Sequence, residues 1–484
     1  MKKQAFNPYL PSYEYVPDAE PYVFGDRVYI YGSHDRFNGN EYCMNNYVCW
    51  SAPVDDMGNW SYEGVIYDKV KDPMCDNPEK RLLFAPDVQQ GADGRYYLYY
   101  AFDFMGVMAV AVSNTPAGEY EFYGYVHYKD GTLLGKKDGD AFQFDPGVLV
   151  DDDGRVFLYS GFCPMTTKMF QYLGFPEPII KGGMVIELET DMLTVKQEPK
   201  VIFPWGANGK GTSFEGHEFF EASSIRKIGC KYYFVYSSIN GHELCYAISN
   251  KPDGDFIYGG TIISNGDIYL DGRTSENALN YTGNNHGSIV EINEQWYVFY
   301  HRQTNRHQFS RQVCAEKIII ENDGTIKQVE MTSCGLNYGP LVGSGSYDAR
   351  VVCNLISRFG AITYGFGVAM EEYHPYLTQD GADREDNPNQ YIANMTESAV
   401  AGFKYFELKK LKAIVITVRG TGKGIMEVSS VLKGSPAAAI VVDASSGWKE
   451  YSSDIQLPDG ITDLYFTYHG EGYIDFLSFE LKIN

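Results

Sequence analysis

The chain has 484 residues, 44% hydrophobic and 15% aromatic, with 40 Tyr and a formal net charge of -23. That length exceeds what one hydrophobic core supports, so two or more domains are expected, and the aromatic bias favours strands. The acidic balance argues against nucleic acid and membrane surfaces as partners, since neither phosphate backbones nor anionic headgroups gain from it.

The first residues, MKKQAFNPYLPSYEYVPDAEP, carry two lysines but no apolar run of signal-peptide length. Nowhere does a stretch of about 18 apolar residues follow. A soluble, cytoplasmic protein is expected. The nine cysteines are scattered and form no CxxC pair, as expected of packed thiols in a reducing compartment. An enzyme of sugars in that compartment would meet small imported oligosaccharides.

In chain order, a short aromatic strand recurs at Val28-Tyr29-Ile30-Tyr31, Tyr96-Tyr97-Leu98-Tyr99, Val156-Phe157-Leu158-Tyr159, Tyr232-Tyr233-Phe234-Val235-Tyr236 and Trp296-Tyr297-Val298-Phe299-Tyr300. Four copies follow a turn signal: Gly25-Asp26, Asp93-Gly94, Asp153-Gly154 or Gly229-Cys230. An apolar stretch precedes each turn, so each unit contains a hairpin with room for further strands. Five such sheets, each too small to bury both faces alone, predict a five-bladed β-propeller over residues 1–335. A long β-sandwich or solenoid is the competing fold, but neither explains five matched units.

The first strand of a blade lines the central channel. Asp18, Asp87, Asp145, Glu221 and His286 lie 11, 10, 12, 12 and 11 residues ahead of Tyr29, Tyr97, Phe157, Tyr233 and Tyr297. Any single Asp beside Pro is most simply a turn residue. Five titratable groups near one register predict instead that they converge on one volume. Clustered carboxylates cannot all stay ionised cheaply, and acid and base roles emerge from such a division. Glycoside hydrolysis requires one carboxylic acid to protonate the leaving oxygen and one carboxylate to activate water or attack carbon. Phe219 and Phe220 ahead of Glu221 suit an acid with a raised pKa, and Asp18, expected beside an exposed loop, suits a base.

With these segments the sequence resembles glycoside hydrolase family 43. PDAEPYVFGDRVYIYGSHD fits its base motif, FDPGVLVDDDGRVFLYSG the Asp that tunes the acid, and FFEASSIRKIGCKYYFVYS its acid motif. The resemblance implies Asp18 as base, Asp145 as tuning residue and Glu221 as acid. LFAPDVQQGADGRYYLYYA, NNHGSIVEINEQWYVFYHR and SRQVCAEKIIIENDGTI resemble family segments in the second and fifth blades. By resemblance Asp87, Phe84 and His34 contact the sugar, and Arg311 grips it, with Arg302 and Arg306 as competitors. His286 would sit near a central calcium or water-filled site, or be hydrogen-bonded within a packed channel. The chemistry needs no cofactor. Ala19 and Phe84 stand where many members have Pro and Trp, and the Asn-Asp-Pro motif of fructan-cleaving clan relatives is absent.

The family implies inversion, with the acid and base carboxyls about 6.5–9.5 Å apart to admit a water. The insertion Phe162 to Gly183, rich in Met and aromatic residues, is expected to restrict cleavage to chain ends. An exo-acting α-L-arabinofuranosidase or β-D-xylosidase acting on hemicellulose or pectin oligosaccharides is therefore expected. A β-galactofuranosidase is the alternative on the same fold, and a non-catalytic sugar-binding propeller the alternative of another class.

From Gly339 the composition turns Gly- and Ser-rich, and the strand repeat ends. Ala413 to Gly420, Ala438 to Val442, Leu464 to Tyr468 and Tyr473 to Phe479 predict a β-sandwich over 345–484. GFKYFEL, VRGTG, Gly447-Trp448 and LYFTYHGEGYIDFLSFEL resemble family 6 carbohydrate-binding modules. Trp448, Tyr373 and Tyr376 could stack on sugars, although a Trp in such a sandwich is more often core. The domain is expected to brace the propeller or shape its entrance. Oligomeric state is not legible.

Overall fold

The computed structural model describes residues 3–172, 174–363, 370–385 and 389–483. Residue 173, inside the insertion Phe162 to Gly183, lies outside that set. The described chain is almost entirely β, as a propeller followed by a sandwich requires.

Five antiparallel sheets follow one another along the chain, each with neighbouring strands in sequence order. Blade I comprises Glu20–Phe24, Arg27–Tyr31, Tyr47–Pro53 and Ser61–Tyr67; blade II comprises Asp87–Gln90, Tyr96–Ala101, Met108–Ser113 and Glu121–Tyr125. Blade III comprises Gly147–Val150, Val156–Ser160, Gly183–Leu188 and Lys200–Phe203, and blade IV Phe219–Ile228, Lys231–Ser238, Glu243–Ser249 and Ile257–Ser264. Blade V has three strands, Ser288–Ile292, Gln295–Arg302 and Gln312–Ile318. Beside its outer strand the Asn7 amide donates to Ala315 O and Glu316 Oε1 and accepts the Ala315 N–H. The N-terminal segment thus covers an edge that would otherwise present unpaired backbone groups.

The recurring aromatic strands are the second strands of the blades, and their side chains make the packing between blades. Tyr31 and Tyr47 of blade I pack with Leu98 and Tyr100 of blade II. Tyr97 and Tyr99 pack with Val156 and Leu158 of blade III. Phe157 and Tyr159 meet Phe234 and Tyr236 of blade IV, and Tyr233 and Val235 meet Val298 and Tyr300 of blade V. Phe299 and Val313 then return to Val28, Ile30 and Val48 of blade I, which closes the ring. At the closure Ala19 bridges Gly287 in parallel. A Cβ at Gly287 would stand 1.8 Å from the Phe299 carbonyl oxygen, so no larger residue fits that approach.

Two further sheets form the sandwich. One orders Leu341–Val342, Val400–Leu408, Gly460–Glu471, Lys423–Ser429 and Ala438–Val442; the other orders Tyr376–Gln379, Gln390–Met395, Ile474–Lys482, Ala413–Gly420 and Ser445–Asp454. The first sheet already takes up Leu341, ahead of residue 345. Phe403, Phe406, Phe466, Phe476 and Phe479 fill the space between the sheets, and burying each contributes roughly 1.5–3 kcal/mol. Trp448 is not in this core: it is half-buried on Ser445–Asp454, with the Arg419 guanidinium 4.2 Å over its ring.

Candidate active site

Three of the five channel residues stand two positions ahead of a first strand: Asp18 before Glu20, Asp145 before Gly147 and His286 before Ser288. Asp18 and Asp145 have φ of 58° and 45°, left-handed backbone that Asp tolerates better than most residues. In blade IV the same turn falls on Ala222, at φ 66°, inside a register shift between Glu221 and Ser224. In blades I, III and IV a local kink at the mouth of the first strand thus aims the kinked or adjoining carboxylate into the channel.

Asp87 does not belong to this ring. It pairs with Tyr99 as Glu20 pairs with Tyr31 and Gly147 with Tyr159, so it is the counterpart of Glu20, one layer deeper. Ala85 holds the blade II place at the cavity wall. Asp87 accepts from the Tyr22 hydroxyl at 2.7 Å and from the amides of Val88 and Val148 at 2.8 and 2.7 Å. Beneath the site, Glu20 accepts from Arg226 Nη2 at 2.7 Å and from Ser224 Oγ at 3.1 Å. The expectation that Asp87 contacts sugar is therefore corrected: it ties inner strands together. His34 is corrected likewise. It lies behind the wall, with Nδ1 2.9 Å from Asn46 O and Nε2 3.2 Å from Arg384 Nη1.

Asp18, Asp145, Glu221, His286 and Arg311 all line one cavity of about 250 Å³. Its wall is aromatic: Phe84, Phe104, Phe144, Phe162 and Phe220, with Phe84, Phe144 and Phe162 in contact at centroid distances of 4.9 Å. Phe170 and Phe175 of the insertion back this wall from behind. Glu41, Tyr42, Cys43, Leu82, Asn284 and Gln308 also line it, and the sequence carries no sign of them because they come from connections outside the strand repeat.

The carboxylates have been driven apart electrostatically. Asp18 is buried, not beside an exposed loop as expected; burial pushes it up, but Arg311, with His301 and His286, holds it well below the usual carboxylate range. Arg311 Nη1 lies 2.9 Å from Asp18 Oδ1, and His301 Nδ1 lies 3.2 Å from the same oxygen. Burial raises Asp145, with repulsion from Glu221 and Asp18 adding to it. Burial, then Asp18, raises Glu221. Of these two coupled groups Asp145 accepts the Ala222 N–H at 3.1 Å, which favours its anion. No comparable donor faces Glu221 among the described residues, so the shared proton resides on Glu221.

Arg311, expected to grip the sugar, lines the cavity and is engaged by carboxylates. Nε and Nη2 donate to the two oxygens of Asp35 at 2.9 and 3.0 Å while Nη1 holds Asp18, so the guanidinium is spent on carboxylates. Its competitors face elsewhere: Arg302 donates to Val352 O and Gln312 Oε1, and Arg306 to Met370 O.

His286 is held neutral, its pKa lowered to about 4 chiefly by burial. Its Nδ1 is 3.5 Å from Asp145 Oδ2 and 4.0 Å from Asp18 Oδ1. Calcium takes about 6–8 oxygens, and the nearest carboxylate oxygen of Asp18 is already shared by Arg311 and His301. Direct ligation of calcium by His286 therefore does not fit the residues present. Among the described residues His217, Glu243 and Cys245 do cluster closely enough for a metal. Glu243 there already accepts from His217, Ser238, Asn240 and Thr261.

Residues 12–326 match Glycosyl hydrolases family 43. The chain is 55% identical over 484 residues to a xylosidase/arabinosidase of Thermoclostridium stercorarium, covering 99% of each. It is similar to a solved family 43 β-xylosidase/α-arabinofuranosidase from a compost microbial metagenome, in complex with xylotriose and calcium-free, at 26% identity and TM-score 0.51, covering 68% of this chain and 98% of that one. A Bacillus subtilis arabinoxylan arabinofuranohydrolase, solved with cellotetraose, shares the fold over 99% of both chains at 20% identity and TM-score 0.50. A five-sheet ring with carboxylates gathered in its channel and a family match over that ring lead to one conclusion: the chain is a glycoside hydrolase and belongs to family 43.

Proposed function

We propose that the chain is an exo-acting, inverting hydrolase that removes terminal α-L-arabinofuranosyl or β-D-xylosyl units from short hemicellulose or pectin oligosaccharides. Glu221 gives its proton to the leaving glycosidic oxygen as the bond to the anomeric carbon breaks. Asp18 takes a proton from the water that attacks the opposite face, and Asp145 keeps Glu221 protonated between turnovers. The observation that carries this is the division of charge within one cavity, an Asp held ionised by Arg311 opposite a Glu kept protonated by burial. A site that merely bound sugar would have no use for that division. The xylosidase/arabinosidase name of the 55% identical relative supports the pentose assignment.

In this proposal residues 1–335 carry the chemistry, and residues 345–484, whose sequence resembles a family 6 carbohydrate-binding module, act as a brace. Arg419 over the face of Trp448 supports bracing over sugar stacking at that ring. The nine unpaired thiols support a reducing, cytoplasmic setting. The test is a panel of aryl α-L-arabinofuranosides, β-D-xylosides and β-D-galactofuranosides with product anomers followed by NMR. Release of the inverted pentose supports the proposal; a retained anomer, or turnover of the galactofuranoside alone, overturns it.

A further inference from the structure

The sandwich reaches a loop of the cavity wall through a short segment around Asp383. Asp383 Oδ1 accepts the Phe37 N–H at 2.7 Å and Oδ2 accepts from Asn45 Nδ2 at 3.0 Å. That Asn45 amide also donates to the Asp35 carbonyl at 3.1 Å, and the Asn45 N–H donates to His34 O at 2.9 Å. One carboxylate of the second domain thus fastens both limbs of the loop 34–45. The loop supplies Glu41, Tyr42 and Cys43 to the cavity, and it carries Asp35.

Asp35 is fully buried and its oxygens are occupied: Oδ1 by the Cys43 N–H and Arg311 Nη2, Oδ2 by Arg311 Nε and the Arg311 N–H, all within 3.0 Å. Asp35 stands ahead of blade I's third strand and Arg311 ahead of blade V's last, so this pair lies across the closure of the ring. The sandwich grips the other side too, where Leu377 O accepts the Asn305 N–H at 2.6 Å.

We propose that Asp383 is a positioning residue for the cleavage site, fixing the loop 34–45 so that the Asp35–Arg311 pair meets Asp18. The assignment rests on Asp18 serving as the base. Docking of the sandwich does not depend on Asp383, since Asn280 with Cys353 O, Arg302 with Val352 O and Thr282 with Thr363 hold the domains together elsewhere. What Asp383 adds is local. A displacement of Arg311 by about 1 Å suffices for a large loss of rate.

The test compares Asp383→Ala, Asp383→Asn and the remote interface variant Thr363→Val in the full chain. Groups facing Asp18 are Arg311, His301, His286, Asp145, Glu221, Tyr47 and the loop's own Cys43, and among the charged ones Arg311 is tied to the loop through Asp35. Asp383→Ala is expected to lower kcat/KM on an aryl pentoside by about 10- to 100-fold and to move the acid limb of its pH profile upward. Asp383→Asn, which keeps an acceptor for Phe37, recovers part of both and carries the test should the alanine variant fail to fold. Unchanged rate and acid limb in both Asp383 variants, or equal effects in Thr363→Val, overturn the proposal. An active Asp18→Asn enzyme overturns the base assignment itself, a failure distinguishable from unaffected Asp383 variants in an enzyme that Asp18→Asn inactivates.

Discussion

Arg311 Nη1 and Asp18 Oδ1 lie 2.9 Å apart with 2% and 4% of their residues exposed, so a buried carboxylate owes its charge chiefly to one guanidinium, with His301 and His286 assisting. Removing one partner of such a pair leaves the other charged and unpaired, at a cost of about 3–5 kcal/mol.

Arg311→Ala is therefore expected to destabilise the fold and to lift the acid limb of kcat/KM. The sign follows from the depressed Asp18 pKa. A carboxyl lowered on folding contributes stability present above its unfolded pKa and lost as pH falls through the folded one. Without Arg311, burial dominates, Asp18 binds its proton more tightly, and base function fades at a higher pH. Denaturant unfolding and a pH–rate profile measured on one preparation check both; an unmoved acid limb is the contrary result.

Glu221→Gln is expected to cut the rate by about 10²- to 10⁴-fold on a xylobioside, and far less on an aryl glycoside with a good leaving group. A general acid must be protonated to work, so in the unsubstituted enzyme the rate falls as pH rises through the raised value of about 8. Glutamine cannot titrate, so the variant's profile loses this limb. Equal losses on both substrates would remove Glu221 from the acid role.

Much of this was legible in the sequence because a propeller repeats its second strand, and Tyr and Phe at period two mark that strand five times. The register of the channel was legible only to within a residue. Asp87, 10 residues ahead of Tyr97 rather than 11 or 12, was grouped with Asp18, yet pairing with Tyr99 puts it a layer deeper. Glu41, Asn284 and Gln308 carry no periodic mark. Asp383 meets Asn45 across 338 residues, and no local pattern encodes such a contact. The opposed electrostatics of Asp18 and Glu221 are half legible: the Phe residues before Glu221 point to burial, whereas nothing in the sequence pairs Arg311 with Asp18 across 293 residues.

Beneath the site, Glu20→Gln is expected to leave turnover nearly unchanged while flattening the pH dependence of stability. Burial raises Glu20 to about 8, Arg226 opposes the rise, and Asp87 adds to it. A carboxyl raised on folding makes the native state the better proton binder, so stability falls as pH climbs from the ordinary Glu range toward that value. Removing the titration removes the fall. Unfolding midpoints at pH 5 and pH 8 for both proteins measure it, and an equal drop in the two would count against this origin.

The shape of the cavity predicts the product. Phe104, Phe144, Phe162 and Phe220, backed by Phe170 and Phe175, form a continuous aromatic wall on the blade III side among the described residues, which disfavours passage of a chain there. Digests of linear xylo- or arabino-oligosaccharides should therefore yield monosaccharide from the first minutes, with no intermediate oligomers produced from internal bonds. Phe162 touches Phe144 at 4.9 Å and Phe220 at 5.5 Å, so Phe162→Ala opens the wall where insertion and blade IV meet. That truncation should cost about 3–5 kcal/mol of stability. It should also raise KM for the terminal sugar more than it lowers kcat, because the ring contributes to binding and touches no transferred proton. Early release of di- and trisaccharides by the unsubstituted enzyme would show that the wall is not closed to a through-running chain.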